Sequence, residues 1–204
     1  MTPKAALELG LTELSLGLPE DAAGELLKYV ALIEKWNRTY NLTAIRGPLD
    51  MVSHHLLDSL AVLDHLPMGP DATLADVGSG AGLPGIPLAI ARPHWRITLN
   101  DSSQKKTAFL RQAAIDLRLD NVQVHEGRVE NWRPATPFAV VISRAFAELA
   151  DFVSRCRHLA APEGTLVAMT GAAPNAFPGE VISLRVPLLD ARRHLVLWRV
   201  GGAQ

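Results

Sequence analysis

The sequence predicts an α/β fold: a mostly parallel, doubly wound sheet closed by an antiparallel hairpin, with a helical cap before it. Three observations predict it. From residue 74 onward, short apolar runs alternate with amphipathic segments, the pattern of strands joined by crossover helices. Residues 1–66 carry only helical periodicity. Between them, Pro67-Met68-Gly69-Pro70-Asp71-Ala72-Thr73 is a turn-rich break that reads as a linker. The expected organisation is a cap over 1–66 and a sheet domain over 74–204, built as one compact unit.

Each element has its own signal. Thr2 before Pro3 is an N-cap followed by proline at the first helical position, and Gly10 is placed to end that helix. Leu26, Tyr29, Val30, Ile33, Trp36 and Tyr40 recur at three- and four-residue steps, one face of a second helix. Met51, Val52, Leu56, Leu60 and Leu63 describe a third. Strands are expected at 74–77, 95–99, 122–125, 138–143 and 165–169. The successive Val140, Val141 and Ile142 imply burial on both faces. Helices are expected at 84–91, 103–118 and 147–161, the last ended by Pro162 and Gly164. Strands at 182–189 and 193–199, joined tightly at Asp190–Arg192, form the hairpin. Ala172–Glu180, with Pro174, Pro178 and Gly179, predicts a short or irregular crossover. This combination is the organisation of the Rossmann-like class I S-adenosylmethionine (SAM)-dependent methyltransferase fold.

Composition narrows the function. The 204 residues are 48% hydrophobic and 20% charged, which excludes disorder as the dominant state. No apolar run reaches the roughly 18 residues of a membrane span. Glu8 and Glu13 interrupt what a secretory signal would need. A single Cys156 excludes a disulfide framework and a multi-Cys zinc site, and the 7 histidines are scattered, so no metal is expected. The expected location is the cytoplasm. Net charge is −1, but residues 1–73 are acidic and the rest is basic and arginine-rich. Arginine forks suit phosphate; a solvated surface explains the same distribution.

The segment Asp76-Val77-Gly78-Ser79-Gly80-Ala81-Gly82-Leu83-Pro84-Gly85 lies between an expected strand and an expected helix. Its glycines let the chain turn sharply and let a ligand lie against the backbone. It fits two templates. Gly80, Gly82 and Gly85 spell the dinucleotide fingerprint, with Asp101 beyond them as a ribose acceptor. Asp76, Gly78, Gly80 and Gly82 spell the methyltransferase version. Asp101 serves either nucleoside, or caps the helix that starts near Ser103. Asp76 places negative charge near the glycines, which favours cationic SAM over a pyrophosphate.

Five further motifs accompany the loop and its Leu-Pro-Gly-Ile-Pro continuation: Asn41-Leu42-Thr43-Ala44-Ile45, His55-Leu56-Leu57-Asp58-Ser59-Leu60, Gly127-Arg128-Val129-Glu130, Ser143-Arg144-Ala145-Phe146-Ala147 and Arg193-His194-Leu195-Val196. Together, in this order from about residue 26 to residue 199, they resemble the RsmG (GidB) family of bacterial 16S rRNA guanine-N7 methyltransferases. The resemblance implies SAM as cofactor and N7 of one guanine in the 530 loop of 16S rRNA as acceptor. It implies that Gly78 and Leu83 line the SAM pocket, that Val129 and Glu130 flank the adenine, and that Arg144 borders the cofactor and orients the reaction centre. The expected cofactor set is thus Asp76, Gly78, Gly80, Gly82, Leu83, Asp101, Val129, Glu130 and Arg144. Asn41, His55 and Asp58 belong to family-like motifs and are candidates for substrate RNA; Asn41 also reads as a helix cap, and His54 and Asp58 as a pair on one helix face. The expected partner is 16S rRNA within the 30S subunit, bound by a monomer without a membrane. One departure stands out: Thr170-Gly171 replaces the family's usual Lys-Gly, removing one natural phosphate contact.

Guanine N7 offers a lone pair and carries no proton, so the attack needs no general base. Cys156, expected in mid-helix, is not placed as a thiolate nucleophile. Two readings from other classes remain: an NAD-binding dehydrogenase or regulator, and a noncatalytic SAM-binding ribosome-associated protein. With 4 Trp, 2 Tyr and 5 Phe, the chain is poorly equipped to grip free RNA by stacking.

Overall fold

The structure is a computed structural model that describes residues 1–144, 146, 148–175 and 177–201. Among these residues, seven strands form one sheet: β1 (Thr73–Val77), β2 (Arg96–Asp101), β3 (Val122–Glu126), β4 (Phe138–Ser143), β5 (Ala160–Thr170), β6 (Glu180–Leu184) and β7 (Arg193–Arg199). Their order is β3-β2-β1-β4-β5-β7-β6. All pairs from β3 to β5 are parallel, and β7 runs antiparallel to both β5 and β6.

Alternation along each strand sorts apolar side chains between two cores. Leu74, Ile97, Leu99, Val140, Ile142 and Leu195 face α5 (Gly85–Ala91), α6 (Gln104–Asp116) and the N-terminal helices. Ala75, Val77, Val141, Leu166 and Val196 face the other way. They meet Phe152 and Cys156 of α7 (Leu149–Cys156). Sequence position 140–142 thus fills both layers.

The N-terminal segment contains α1 (Pro3–Leu14), α2 (Ala22–Tyr40), α3 (Pro48–Met51), a π-helical turn over Val52–Leu57 and α4 (Asp58–Leu60). Thr2 caps α1 as expected, accepting from Ala5 N–H at 3.2 Å. Gly10 does not end it. The helix runs on to Leu14, and a Cβ at Gly10 would overlap the Leu57 side chain. That glycine serves close helix approach rather than a stop. On α2, Leu26, Tyr29, Val30 and Ile33 are buried, whereas Tyr40 is exposed. Buried Asn37 takes its place on the inward face and pins the following loop through both sides of its amide, to Thr43 N–H and Thr43 O.

Three further expectations need correction. Pro84 sits at the N-cap of α5, with Gly85 the first helical residue. The helix expected to reach residue 161 ends at Cys156; a 3-10 turn over Arg157–Leu159 leads into β5, so Pro162 and Gly164 lie within the strand. Gly164 approaches the Phe138 carbonyl too closely for a side chain, where the β4–β5 register shifts. The hairpin is also looser than expected. β6 stops at Leu184, because Pro187 has no ladder donor and Leu188 adopts φ 60°. Residues 185–192 make the connection. The crossover between β5 and β6 is irregular, as expected; Ala176 lies outside the described residues. Among the described residues, no helix is long and apolar enough to cross a membrane.

Candidate functional site

The site grows from the carboxyl ends of β1, β2 and β3, where ligands of open α/β sheets bind. After β1, the chain turns through Gly78 (φ 69°), Gly80 (φ 60°) and Gly82 (φ 87°). All three angles lie in the left-handed region, which favours glycine. Hydrogen bonds fix the loop from several sides. Ser79 N–H donates to Asn100 O at 2.9 Å, and Gly82 and Leu83 N–H both donate to Ser79 O. Tyr29 of α2 donates its phenolic hydrogen to Ala81 O.

Asp76 lies beneath this loop, fully buried. Its Oδ2 accepts from Gly85 N–H at 2.8 Å, the first residue of α5, while Oδ1 has no partner. Burial pushes its carboxyl up to about 7, only partly offset by the Gly85 bond. The carboxylate therefore acts on the loop and the helix start and does not line the cleft.

Asp101 ends β2 and faces the cleft. Its Oδ2 accepts from Gly80 N–H at 3.0 Å and its Oδ1 from Ser103 N–H at 2.9 Å; Lys106 Nζ stands 3.7 Å away. The cap expected as an alternative role is present in part, since Ser103 opens α6. Each carboxylate oxygen has two lone pairs, so each keeps acceptor capacity for a hydroxyl. Asn100 braces the third loop, donating to His125 O at 3.2 Å and Gly127 O at 2.9 Å.

These three loops enclose a cleft of about 320 Å³. Gly78, Asp101, Val129 and Glu130 line it, together with Lys106 and Arg155. Glu130 pairs with Arg155 Nη1 at 2.7 Å. Gly80 stands at the loop's outer turn, half-buried, whereas Gly82 and Leu83 are buried behind it against α5. A Cβ at Gly82 would clash with Ile86. Lys106 and Arg155 are cleft residues that sequence reasoning missed. Lys106 had a signal in its closeness to Asp101; Arg155 joins Glu130 only through the fold.

A second cluster lies on the cap side. Arg144 follows β4, whose last residue Ser143 donates to Val77 O at 2.7 Å. The Arg144 guanidinium turns toward the N-terminal helices and meets His54 O and Asp58 Oδ2, both at 3.1 Å. His55 is buried, with Nε2 at 2.9 Å from Thr43 Oγ1. Burial, and next the Arg144 charge, lower its pKa to about 4, so the ring is neutral near pH 7. Asn41 is the left-handed C-cap of α2 and accepts from Arg46 Nη2 at 3.1 Å. The structure thus gathers His55, Asp58 and Arg144, with Asn41 one loop away. His54 and Asp58 do not pair through their side chains: the π turn breaks the four-residue spacing, and the His54 ring bonds Ser53 and Asp50 O. Arg193, quoted only as part of a motif, joins Asp58 Oδ1 at 2.8 Å. Ala145 and Ala147 of the Ser143–Ala147 motif lie outside the described residues. Cys156 is buried, and burial raises its thiol to about 12. Thr170 donates its hydroxyl to Ala172 O at 2.8 Å.

Comparisons with known proteins agree with this layout. A solved SAM-dependent methyltransferase from Aquifex aeolicus has the same fold, with TM-score 0.54 and 16% identity over 71% of this chain and 90% of that one. The sheet is therefore of the class I SAM-dependent methyltransferase type. A ribosomal RNA small subunit methyltransferase G from Methylobacillus flagellatus is 53% identical over 197 residues, covering 93% of this chain and 95% of that protein. A protein of the same name from Burkholderia thailandensis is 50% identical, covering 96% and 90%. The model of one family matches residues 23–176, from α2 through the glycine loop and past β5. By that match and by these identities, the chain belongs to the GidB family, described as rRNA small subunit methyltransferase G.

Proposed function

We propose that the protein transfers the methyl group of SAM to N7 of a guanine in the 530 loop of 16S rRNA. The observation that carries this reading is the family match, laid over a nucleoside-sized cleft between the glycine loop and Asp101. The residues fit SAM. Asp101 keeps a free lone pair on each oxygen for the ribose hydroxyls. Gly78 lets the cofactor lie against backbone, and Val129 and Glu130 flank the base. Asp76, Gly80, Gly82 and Leu83 hold the loop that receives it. A dinucleotide fits less well: Gly85 N–H, at the start of α5, is already committed to Asp76. A pyrophosphate would need such a donor free.

SAM supplies an electrophilic methyl when bound. The protein's own part is positional. Guanine N7 has no proton to remove, so no side chain has to act as a base. The neutral His55 matches that requirement. Holding N7 in line with the methyl at about 3–3.5 Å is the main contribution. Arg144, at the border between the two clusters, orients the base or its phosphate, and Asn41, His55 and Asp58 shape the RNA side. Thr170 removes one cationic contact and leaves the others. In this reading the protein works as a cytoplasmic monomer on protein-bearing 30S particles at moderate salt.

The test is transfer of labelled methyl from SAM to 30S particles from cells lacking this gene, with the product nucleoside identified. Label as 7-methylguanine at one 530-loop position is expected, with deproteinised rRNA a poorer substrate. Label on another base or position overturns the acceptor assignment. SAM binding without transfer points to the noncatalytic ribosome-associated reading, and NAD binding in place of SAM to the dehydrogenase.

A further inference from the structure

The π turn over Val52–Leu57 widens the helix where Arg144 meets it. Asp58 N–H donates to Ser53 O and His55 O and passes over His54 O between them. His54 O accepts from Arg144 Nη1 at 3.1 Å instead. The same Nη1 donates to Asp58 Oδ2 at 3.1 Å, and Arg193 Nε donates to Asp58 Oδ1 at 2.8 Å. Arg193 Nη1 is held by Arg192 O at 3.0 Å. Single-turn π segments inside α-helices are rare and concentrate at functional sites.

One carboxylate, its side chain 2% exposed, therefore holds two guanidiniums from distant parts of the chain. The arginine side chains are 28% and 24% exposed. Among the described residues, neither Nη2 group has a protein acceptor. Two arginines against one acid leave the cluster cationic. Planar forks with free donors match phosphate oxygens. Ser143 ties the Arg144 end to Val77, which lines the cofactor cleft.

We infer that Asp58 is a positioning residue for substrate RNA: it sets Arg144 and Arg193 so that their free Nη2 ends form a phosphodiester-binding pair beside the cofactor cleft. This rests on the rRNA methyl-transfer reading. Two simpler accounts predict different behaviour. An ion-pair tie between cap and sheet predicts lost stability alone. A pure charge effect predicts that removing the Asp58 charge tightens RNA binding, because the patch becomes more cationic.

Asp58→Asn keeps the side-chain shape and removes the charge. Arg193→Lys keeps the charge and loses the fork. Both are compared with the parent by thermal unfolding, SAM calorimetry, binding to 30S particles, and KM and kcat for methyl transfer to them. For each folded variant we expect SAM affinity within about twofold of the parent. We expect weaker 30S binding and a KM for 30S raised at least about tenfold, the size of a lost charged hydrogen bond. Asp58→Asn with 30S binding and KM within about twofold of the parent, or with tighter binding, overturns the inference. If Asp58→Asn does not fold, Arg193→Lys decides by the same two readouts. A parent protein that binds 30S but transfers no methyl defeats the reaction reading only; the binding comparison still decides the role of Asp58.

Discussion

Removing one oxygen from Tyr29 tests how the N-terminal helices are joined to the cofactor loop. The ring is fully buried, and its hydroxyl donates to Ala81 O between Gly80 and Gly82. Burial raises the phenol well above its ordinary pKa, so it remains a neutral donor throughout the working pH range. Ala81 is 4% exposed, which leaves no room for water to replace the hydroxyl. Tyr29→Phe keeps the packing and orphans that carbonyl. An unpaired buried acceptor costs about 1–3 kcal/mol. In a chain of this length each kcal/mol lowers Tm by roughly 2–4 °C, so the variant should unfold roughly 2–12 °C below the parent. If the bond matters most in the ligand-ready loop, SAM affinity drops too, by about 5-fold to at most about 150-fold. Thermal unfolding without ligand and calorimetric titration with SAM measure the two effects. Unchanged Tm together with unchanged SAM affinity refutes the reasoning.

Asp101→Ala deletes the acceptor for Gly80, Ser103 and the expected ribose hydroxyls; SAM affinity measured by calorimetry should fall at least about tenfold, the worth of one charged hydrogen bond. Gly82→Ala adds a Cβ at φ 87° that meets Ile86 and Leu110; strain and overpacking together should destabilise by about 2–5 kcal/mol in urea unfolding. Asp76→Asn tests a pH dependence. With its folded pKa raised from 3.8 to about 7, Asp76 holds a proton that the unfolded chain lacks, so its contribution to stability falls as pH rises through that window. His55, lowered from 6.5 to about 4, works oppositely: the unfolded chain binds the extra proton, and stability rises with pH across its window. In the variant only the His55 slope should remain, so urea unfolding between these pH limits should show stability rising to about 6.5 and then level. A variant that keeps the parent's pH profile contradicts this.

Much of the fold was legible because its signals are local. The glycine loop sits where a strand must turn into a helix, and Val140–Ile142 announce a strand buried on both faces. The cofactor side was legible for the same reason: Gly78, Asp101, Val129 and Glu130 end or follow strands. The RNA side was not. Met51, Val52, Leu56, Leu60 and Leu63 fit a regular helix, and nothing in apolar spacing signals that one turn is wider. Without that turn, His54 and Asp58 look like a side-chain pair, when in the fold the backbone of one and the carboxylate of the other serve Arg144. The Asp58–Arg193 contact joins residues far apart in sequence, which only sheet topology brings together. Gly10 misled because a glycine that admits a neighbouring side chain looks the same as one that stops a helix. Pro162 and Gly164 misled likewise, since a strand entrance beside a register shift tolerates both.

The order of strands has a consequence for damaged or shortened copies of this chain. β7 lies between β5 and β6, although both precede it in sequence. A chain interrupted before Arg193 would leave the long edge of β5 bare and β6 with nothing to pair against. Open strand edges of that kind recruit other chains. Such a copy would also lack one of the two guanidiniums that answer buried Asp58. Truncation there should yield aggregates and proteolysis rather than a competitor that occupies ribosomal particles without modifying them.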